Sequence, residues 1–253
     1  HLQAFYLYNS QAAIDLLNET VELPNLKPQF KAECKLELAD IYVFNGEVWD
    51  AALLYGQVDK DFKNDALGRE AKFRNARLSY YLGEFDWAKD QLNVLKAATS
   101  QLISNDALSL ALLITDNTNL DTSYDALLAF SRADLLDFQN KDSVALMVLD
   151  TLMLNFPGHS LTDEVIYKKA QIYKAKGRYA EAVPMLQEIV DKYGEDILAD
   201  DALYQLGLLY EERLNDKEKA KTLYETLLTK YPGSLFVVDA RKRFRALRGD
   251  KVN

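Results

Sequence analysis

The sequence predicts an all-α protein, a solenoid of repeated helix–turn–helix units. First, glycine and proline number 10 and 5 among 253 residues, about 4% and 2%, below the roughly 7% and 5% of average proteins. Second, apolar residues recur at i, i+3, i+4 and i+7, which is the spacing of one helix face. Third, small residues return at intervals of 37 or 38 positions, and a fixed interval of this length indicates a repeat architecture.

Small residues mark the two helices of each unit. Alanines on the second helix have spacings of 38, 37, 57, 37 and 38, and they are Ala13, Ala51, Ala88, Ala145, Ala182 and Ala220. The corresponding residues on the first helix are Ala39, Ala76, Ala133, Ala170 and Gly207. We expect the two helices of a unit to approach closely at these positions. Gly46, Gly83 and Gly177 follow first helices and are expected to end them in the left-handed conformation.

The spacings divide the chain into regular and irregular segments. Regular repeats are predicted over residues 1–98 and 123–233, and the 57-residue spacing includes an irregular segment over residues 99–122. This segment is expected to hold one inserted helix, Ser104 to Thr115, followed by a polar turn that ends at Asp121. The sequence thus predicts a single domain of about 13 helices, 11 to 18 residues long, without a sheet.

The repeat pattern begins and ends differently at the two ends of the chain. Residues 2–8 provide only the tail of a first helix, so the chain is expected to be the C-terminal part of a longer protein. Residues 234–248 predict a lone amphipathic helix that caps the solenoid, because an uncapped repeat exposes an apolar face. Its inward residues are expected to be Phe236, Val237, Ala240, Phe244 and Leu247. Its outward residues are expected to be Arg241, Lys242, Arg243, Arg245 and Arg248.

These repeats resemble the tetratricopeptide repeat family. The clearest units run from Asp163 to Gly194 and from Asp200 to Pro232, and both have the small residue, tyrosine and alanine of the family pattern. The resemblance implies a right-handed superhelical α-solenoid. The period of 37 or 38 residues and the segment 231–244 resemble bacterial envelope members, namely the outer-membrane-assembly lipoprotein and the Tol-Pal coordinator. That similarity favours a periplasmic or outer-membrane-associated location, with the cytoplasm as the alternative.

Composition and motifs disfavour several function classes. The chain has 30 basic and 39 acidic residues, a net charge of −9, which disfavours nucleic-acid binding. Its longest apolar run, residues 107–114, is far shorter than the roughly 20 residues of a membrane-spanning helix. Cys34 is expected to be a buried inert thiol and His159 a surface-loop residue. No phosphate loop, nucleophile elbow, metal motif or cofactor site is recognised, so the sequence predicts a non-catalytic protein.

The function favoured by the repeats is a scaffold that binds a peptide or a partner protein. First helices of such repeats line a concave groove, and an aromatic-rich column is expected to face it. The candidate groove residues are Leu36, Asp40, Phe73, Arg77, Tyr80, Phe130, Asp134, Asp137, Tyr167 and Tyr204. The same column also serves helix packing in this family, which is the alternative interpretation. The oligomeric state is left open.

The expected groove carries an excess of acidic residues. Eight acids occupy first-helix positions, namely Glu33, Asp40, Glu70, Asp134, Asp137, Glu164, Asp201 and Glu211, against Arg77 and Lys174. A surface of one dominant sign steers oppositely charged partners, so we expect a partner segment rich in Lys or Arg. The alternatives are an acidic face that serves only solubility, and a structural subunit of a bacterial envelope complex whose groove is unused.

Overall fold

The computed structural model describes residues 1–63, 65–96, 101–118 and 123–250 of the chain. Within these ranges there are fourteen α-helices and no β-strand. The helices are α1 (Leu2–Phe5), α2 (Ser10–Glu22), α3 (Pro28–Asn45), α4 (Val48–Asp61), α5 (Ala66–Tyr81), α6 (Phe85–Lys96), α7 (Gln101–Thr118), α8 (Asp125–Phe138), α9 (Asp142–Asn155), α10 (Thr162–Ala175), α11 (Tyr179–Lys192), α12 (Ala199–Glu212), α13 (Lys217–Lys230) and α14 (Val237–Arg248).

The predicted all-α solenoid of helix–turn–helix repeats is confirmed. The best-defined sequence units are the hairpins α10–α11 and α12–α13, as their spacing indicates. Gly46, Gly83 and Gly177 adopt φ angles of 89°, 79° and 72° at the turns between first and second helices. The expected number of helices was about 13, and the additional one is the four-residue α1. No helix in the described ranges is long and apolar enough to cross a membrane.

The small residues lie at the predicted helix–helix approaches. All six anchor alanines and all five small residues of the first helices are buried. Gly207 shows why a small side chain is needed: a Cβ atom added there would lie 2.5 Å from Cε1 of Tyr224. That distance is far inside van der Waals contact, so the α12–α13 approach requires glycine.

The described chain divides into two compact units, His1–Val148 and Leu149–Asn253. The boundary between these units lies within α9. The predicted irregular segment lies inside the first unit, where α7 packs against α6 as an additional helix. The polar turn expected after α7 lies partly outside the described residues, which resume at Ser123.

In the first unit, the C-terminal end of α8 lies across α5 and reaches α3 and α1. The ring of Phe138 contacts the rings of Tyr81 and Phe5, with centroid distances of 6.2 and 6.1 Å. The next residue, Gln139, donates a hydrogen bond to the carbonyl oxygen of Val43 at 3.0 Å. Asn140 donates to the carbonyl oxygen of Phe5 at 2.8 Å. The end of α8 and the two residues after it are therefore joined to α5, α3 and α1 of the same unit.

In the second unit, α14 packs against α13 and extends the row of first helices α10 and α12. It begins at Val237, three residues later than the sequence predicts. Ala240 is buried, and Phe244 and Leu247 are half-buried, as expected of its inward face. The prediction that Arg243 points outward is wrong, because this side chain turns toward three carboxylates and is half-buried.

Candidate partner-binding surface

The apolar candidates of the first unit are mostly packed inside it. Leu36 and Phe130 are buried, Leu36 against the α3–α4–α5 core, so neither side chain can contact a partner. Tyr80 is also buried, and its hydroxyl donates to Oδ2 of Asp134 at 2.8 Å, which joins α5 to α8. These three positions correct the expectation of an open aromatic column, because the helices of this unit close over them.

Asp40 belongs to a network within the first unit. Its carboxylate accepts hydrogen bonds from the hydroxyl of Tyr55 and from Nη1 of Arg74, both at 2.5 Å. Arg74 also donates from Nε to Glu70 at 2.8 Å. Burial raises the pKa of the Asp40 carboxyl, and the Arg74 charge opposes this increase. Two of the eight predicted groove acids are thus paired with one arginine of their own chain.

Arg77 is held between aromatic rings and is not extended toward solvent. Its guanidinium carbon lies 5.8 Å from the ring centroid of Phe73 and 5.6 Å from that of Phe138. These distances are within the range of cation–π attraction. Asp137, one residue before Phe138, is half-buried on α8. The first-unit candidates therefore meet at the junction of α3, α5 and α8, where they hold helices together.

The second unit presents a polar surface along its first helices. Tyr167 of α10 donates to Oδ1 of Asp201 of α12 at 3.5 Å, and Nζ of Lys174 donates to Gln205 at 2.6 Å. These four residues and Gln171 are half-buried, and together we call them the α10–α12 polar face. Because the face is formed by direct neighbours, its side chains are held in place while solvent still reaches them.

Two groups of this face have shifted pKa values. Burial, together with the charge of Asp200, raises the pKa of Asp201 to about 6. Burial lowers the pKa of Lys174. Both shifts favour the neutral form because the charged forms lose hydration. The α10–α12 polar face therefore gains negative charge when the pH rises through about 6.

Tyr204, the last predicted candidate, fixes α14 to α12. Its ring is buried and stacks on Phe236 with a centroid distance of 4.3 Å. Its hydroxyl donates to Asp239 at 2.5 Å, and burial raises the tyrosine pKa to about 12. Its role is in packing, which was the alternative interpretation of the aromatic column.

A second arginine network links α12, α13 and α14. Arg243 donates to Glu211 at 3.0 Å, to Glu212 at 2.9 Å and to Asp239 at 2.7 Å. Glu211 also accepts a hydrogen bond from the hydroxyl of Tyr224 at 2.7 Å. This network resembles the one around Asp40. Glu211, another predicted groove acid, is therefore already paired within the chain.

The sequence reasoning missed the two arginines that neutralise groove acids, Arg74 and Arg243. They raise the predicted count of two groove cations to four. One signal was present in the sequence: Tyr55 and Tyr224 each follow an anchor alanine by four residues. A buried tyrosine hydroxyl needs a partner, so this repetition indicated a carboxylate or another acceptor on the first helix.

Cys34 lies on α3, and His159 lies in a turn. Cys34 is buried, and burial raises the pKa of its thiol, which disfavours the nucleophilic thiolate. His159 accepts a hydrogen bond from the backbone of Leu161 at 3.1 Å in the turn before α10. No cluster of metal-ligating side chains occurs among residues 1–63, 65–96, 101–118 and 123–250.

Comparison with known proteins identifies the repeat class. The family model described as the tetratricopeptide repeat matches residues 164–196 and 201–234, which cover α10–α11 and α12–α13. A crystal structure of a tetratricopeptide repeat protein from Parabacteroides merdae ATCC 43184 aligns with 98% of this chain and 97% of its own, at 14% identity and a TM-score of 0.41. No curated protein matches the sequence. Residues 164–196 and 201–234 are thus similar to tetratricopeptide repeats.

Proposed function

We propose that this protein is a non-catalytic scaffold that binds a peptide or partner protein on the first helices of its second unit. Tetratricopeptide repeats generally mediate protein–protein interactions, and their scaffold is generally non-catalytic. The observation that carries the proposal is the contrast between the two rows of first helices. In the first unit the end of α8 and the two residues after it contact α5, α3 and α1, whereas the α10–α12 polar face is half-buried and its side chains are joined by their own hydrogen bonds.

The proposed partner segment is rich in Lys or Arg. Asp201 is available on the α10–α12 polar face, and Glu212 lies on the same helix with its side chain 44% exposed. A cationic side chain near Asp201 would favour the ionised carboxylate and lower its pKa. Binding would therefore strengthen as the pH rises through about 6. It would weaken above about 0.15 M salt, where the screening length is near 8 Å.

A peptide array measures this proposal directly. Peptides with Lys and Arg should bind the full chain, and Asp201→Asn combined with Glu212→Gln should weaken that binding about tenfold. The matched control is Glu188→Gln with Asp191→Asn, which removes two carboxylates from α11, a second helix. A preference for acidic peptides, or equal effects of both double variants, would contradict the proposed surface.

The second candidate function is a structural subunit of a bacterial cell-envelope complex. It is favoured by the two residues after α8, Gln139 and Asn140, which bind the backbone of α3 and α1 within the first unit. The resemblance of residues 231–244 to envelope proteins suggests a periplasmic or outer-membrane-associated location. Co-purification with a membrane complex that persists at high salt, together with no peptide binding, would favour this role over the scaffold.

A further inference from the structure

Both tryptophans of the chain are exposed near the beginnings of second helices. Trp49 is the second residue of α4 and is 79% exposed, and Trp87 is the third residue of α6 and is 59% exposed. An indole is the largest apolar side chain, and its exposure leaves much apolar surface in water. Tryptophan is also the residue most enriched among the energetic anchors of protein interfaces.

The two tryptophans lie at the same end of neighbouring hairpins. Short connections make α4 and α6 each antiparallel to α5, against which both pack. The N-termini of α4 and α6 therefore lie at the same end of the layer. Packed helices are 8–10 Å apart, so the two helix axes lie within roughly 20 Å of each other, a distance that about six extended residues span.

The exposed face of α4 continues the apolar surface. Leu53, one turn after Trp49, is 61% exposed. Gly56 follows on the same face, and a Cβ atom there would meet nothing within 4 Å. Glycine inside a helix costs about 0.5–1 kcal/mol relative to alanine, and no close packing in the described chain requires it. A smooth stripe of this kind allows another chain to approach closely. We call Trp49, Leu53, Gly56 and Trp87 the tryptophan edge.

Carboxylates surround this edge. Near the two tryptophans the exposed acids are Glu47, Asp50, Glu84, Asp86 and Asp90. Within residues 45–53 and 84–90 the one cation is Lys89, which already pairs with Asp86 at 3.5 Å. The rim is therefore strongly negative. A guanidinium or ammonium group can lie over an indole face and pair with a neighbouring carboxylate.

We propose that the tryptophan edge is a second docking surface, which binds a cationic, extended segment of a partner protein. The indoles anchor apolar or cationic side chains, and the surrounding carboxylates select Lys or Arg. An anionic bilayer is disfavoured because five carboxylates would face its headgroups. This surface lies in the first unit, so it is independent of the α10–α12 polar face and can be tested separately.

The two tryptophans also provide the measurement. Random octapeptides displayed on phage would be selected on the full chain carrying Asp201→Asn and Glu212→Gln, so that the α10–α12 polar face does not capture cationic peptides. Enriched peptides would be synthesised and titrated against the unaltered chain. We expect Lys- or Arg-rich sequences, and a shift of tryptophan emission to shorter wavelength as the indoles leave water. Trp49→Gln with Trp87→Gln should weaken binding at least tenfold, measured with labelled peptide, without changing the melting temperature. Each single variant leaves one indole as reporter.

The matched control is Leu235→Gln with Val238→Gln, which removes two aliphatic side chains, one just before α14 and one on it, that are 72% and 79% exposed. It should leave peptide binding unchanged, as should Asp201→Asn in the second unit. The proposal is overturned if no peptide is enriched or if bound peptides do not shift the emission. If the tryptophan emission shifts with phosphatidylcholine or phosphatidylserine vesicles and with no peptide, the tryptophan edge binds a membrane and the proposal is overturned. If the emission shifts as the concentration of the protein itself rises, and sedimentation shows a dimer, the tryptophan edge binds a second copy of the chain and the proposal is overturned.

Discussion

A buried tyrosine occupies the same repeat position in the hairpins α3–α4 and α12–α13. Its hydroxyl binds a carboxylate at a different position of the first helix in each hairpin. Tyr55 and Tyr224 each stand four residues after the anchor alanine, and both are fully buried. Each donates its hydroxyl proton to a carboxylate on the first helix of its own hairpin, Asp40 or Glu211. Asp40 directly follows the small residue Ala39, whereas Glu211 comes four residues after Gly207. The acceptors thus differ by nearly one helical turn.

The small residue explains this difference. The ring of Tyr224 lies so close to α12 that a Cβ atom on Gly207 would be 2.5 Å away. Ala39 has that methyl group, so the corresponding approach is not available to Tyr55. The repeat position therefore determines that a buried hydroxyl needs an acceptor, and the facing small residue determines where along the first helix that acceptor lies.

The largest expected effect comes from filling the close approach. Gly207→Leu places a side chain where the Tyr224 ring lies and should lower the free energy of unfolding by about 3 kcal/mol, the upper part of the usual range for overpacking. Glu212→Ala, at an exposed position of the same helix, should change it by about 0.5 kcal/mol or less. Urea denaturation measures both, and equal losses would refute this account of the hairpin.

A smaller loss of stability is expected from removing either network arginine, and the loss should be greater for Arg74 than for Arg243. Arg74→Met leaves Asp40, whose side chain is only 16% exposed, without its cation, and should cost about 2 kcal/mol. Arg243→Met leaves carboxylates that are 20–47% exposed and should cost about 1 kcal/mol, because water solvates them better. Denaturation in low salt and in 1 M NaCl measures the costs. A larger cost for Arg243→Met at both salt concentrations would reverse the ranking.

The smallest effect concerns pH. The pKa of Asp201 is raised to about 6 from 3.8, so the folded protein holds a proton that the unfolded chain releases between these values. Stability therefore decreases as pH rises through this window. Asp201→Asn, which can still accept from Tyr167, should remove this slope and stabilise the protein by about 1 kcal/mol at pH 7.5, after allowance for the partial exposure of the carboxyl. Melting temperatures from pH 4 to 8 test it, and an unchanged slope would exclude Asp201 as the cause.

The fold could be predicted because its signals are local. Helical periodicity and the glycines after first helices lie within one repeat, and the intervals between anchor alanines link one repeat to the next along the sequence; the structure confirms them. The short α1 and the later start of α14 depend on where terminal turns form, which periodicity does not resolve.

The candidate surface was predicted less well because it depends on contacts between units of the repeat. Nothing local in the sequence indicates that the end of α8 and the residues after it contact α5, α3 and α1, which pairs Tyr80 with Asp134 and places Phe138 near Arg77. Arg74 and Arg243 were missed for a related reason: each meets an acid more than 30 residues away. Tyr167 of α10, which donates to Asp201 of α12, is half-buried, and its use in partner binding stays a prediction.

The return of α8 also changes how the first unit can fold. In an ordinary repeat array each unit contacts only its neighbours, so structure can nucleate at one place and propagate. In the second unit, hydrogen bonds between first helices join residues 31 to 35 positions apart. In the first unit, Gln139 and Asn140 join residues 96 and 135 positions away. Such contacts close long loops at an entropic cost, so we expect the first unit to form more slowly than the second, which can assemble hairpin by hairpin.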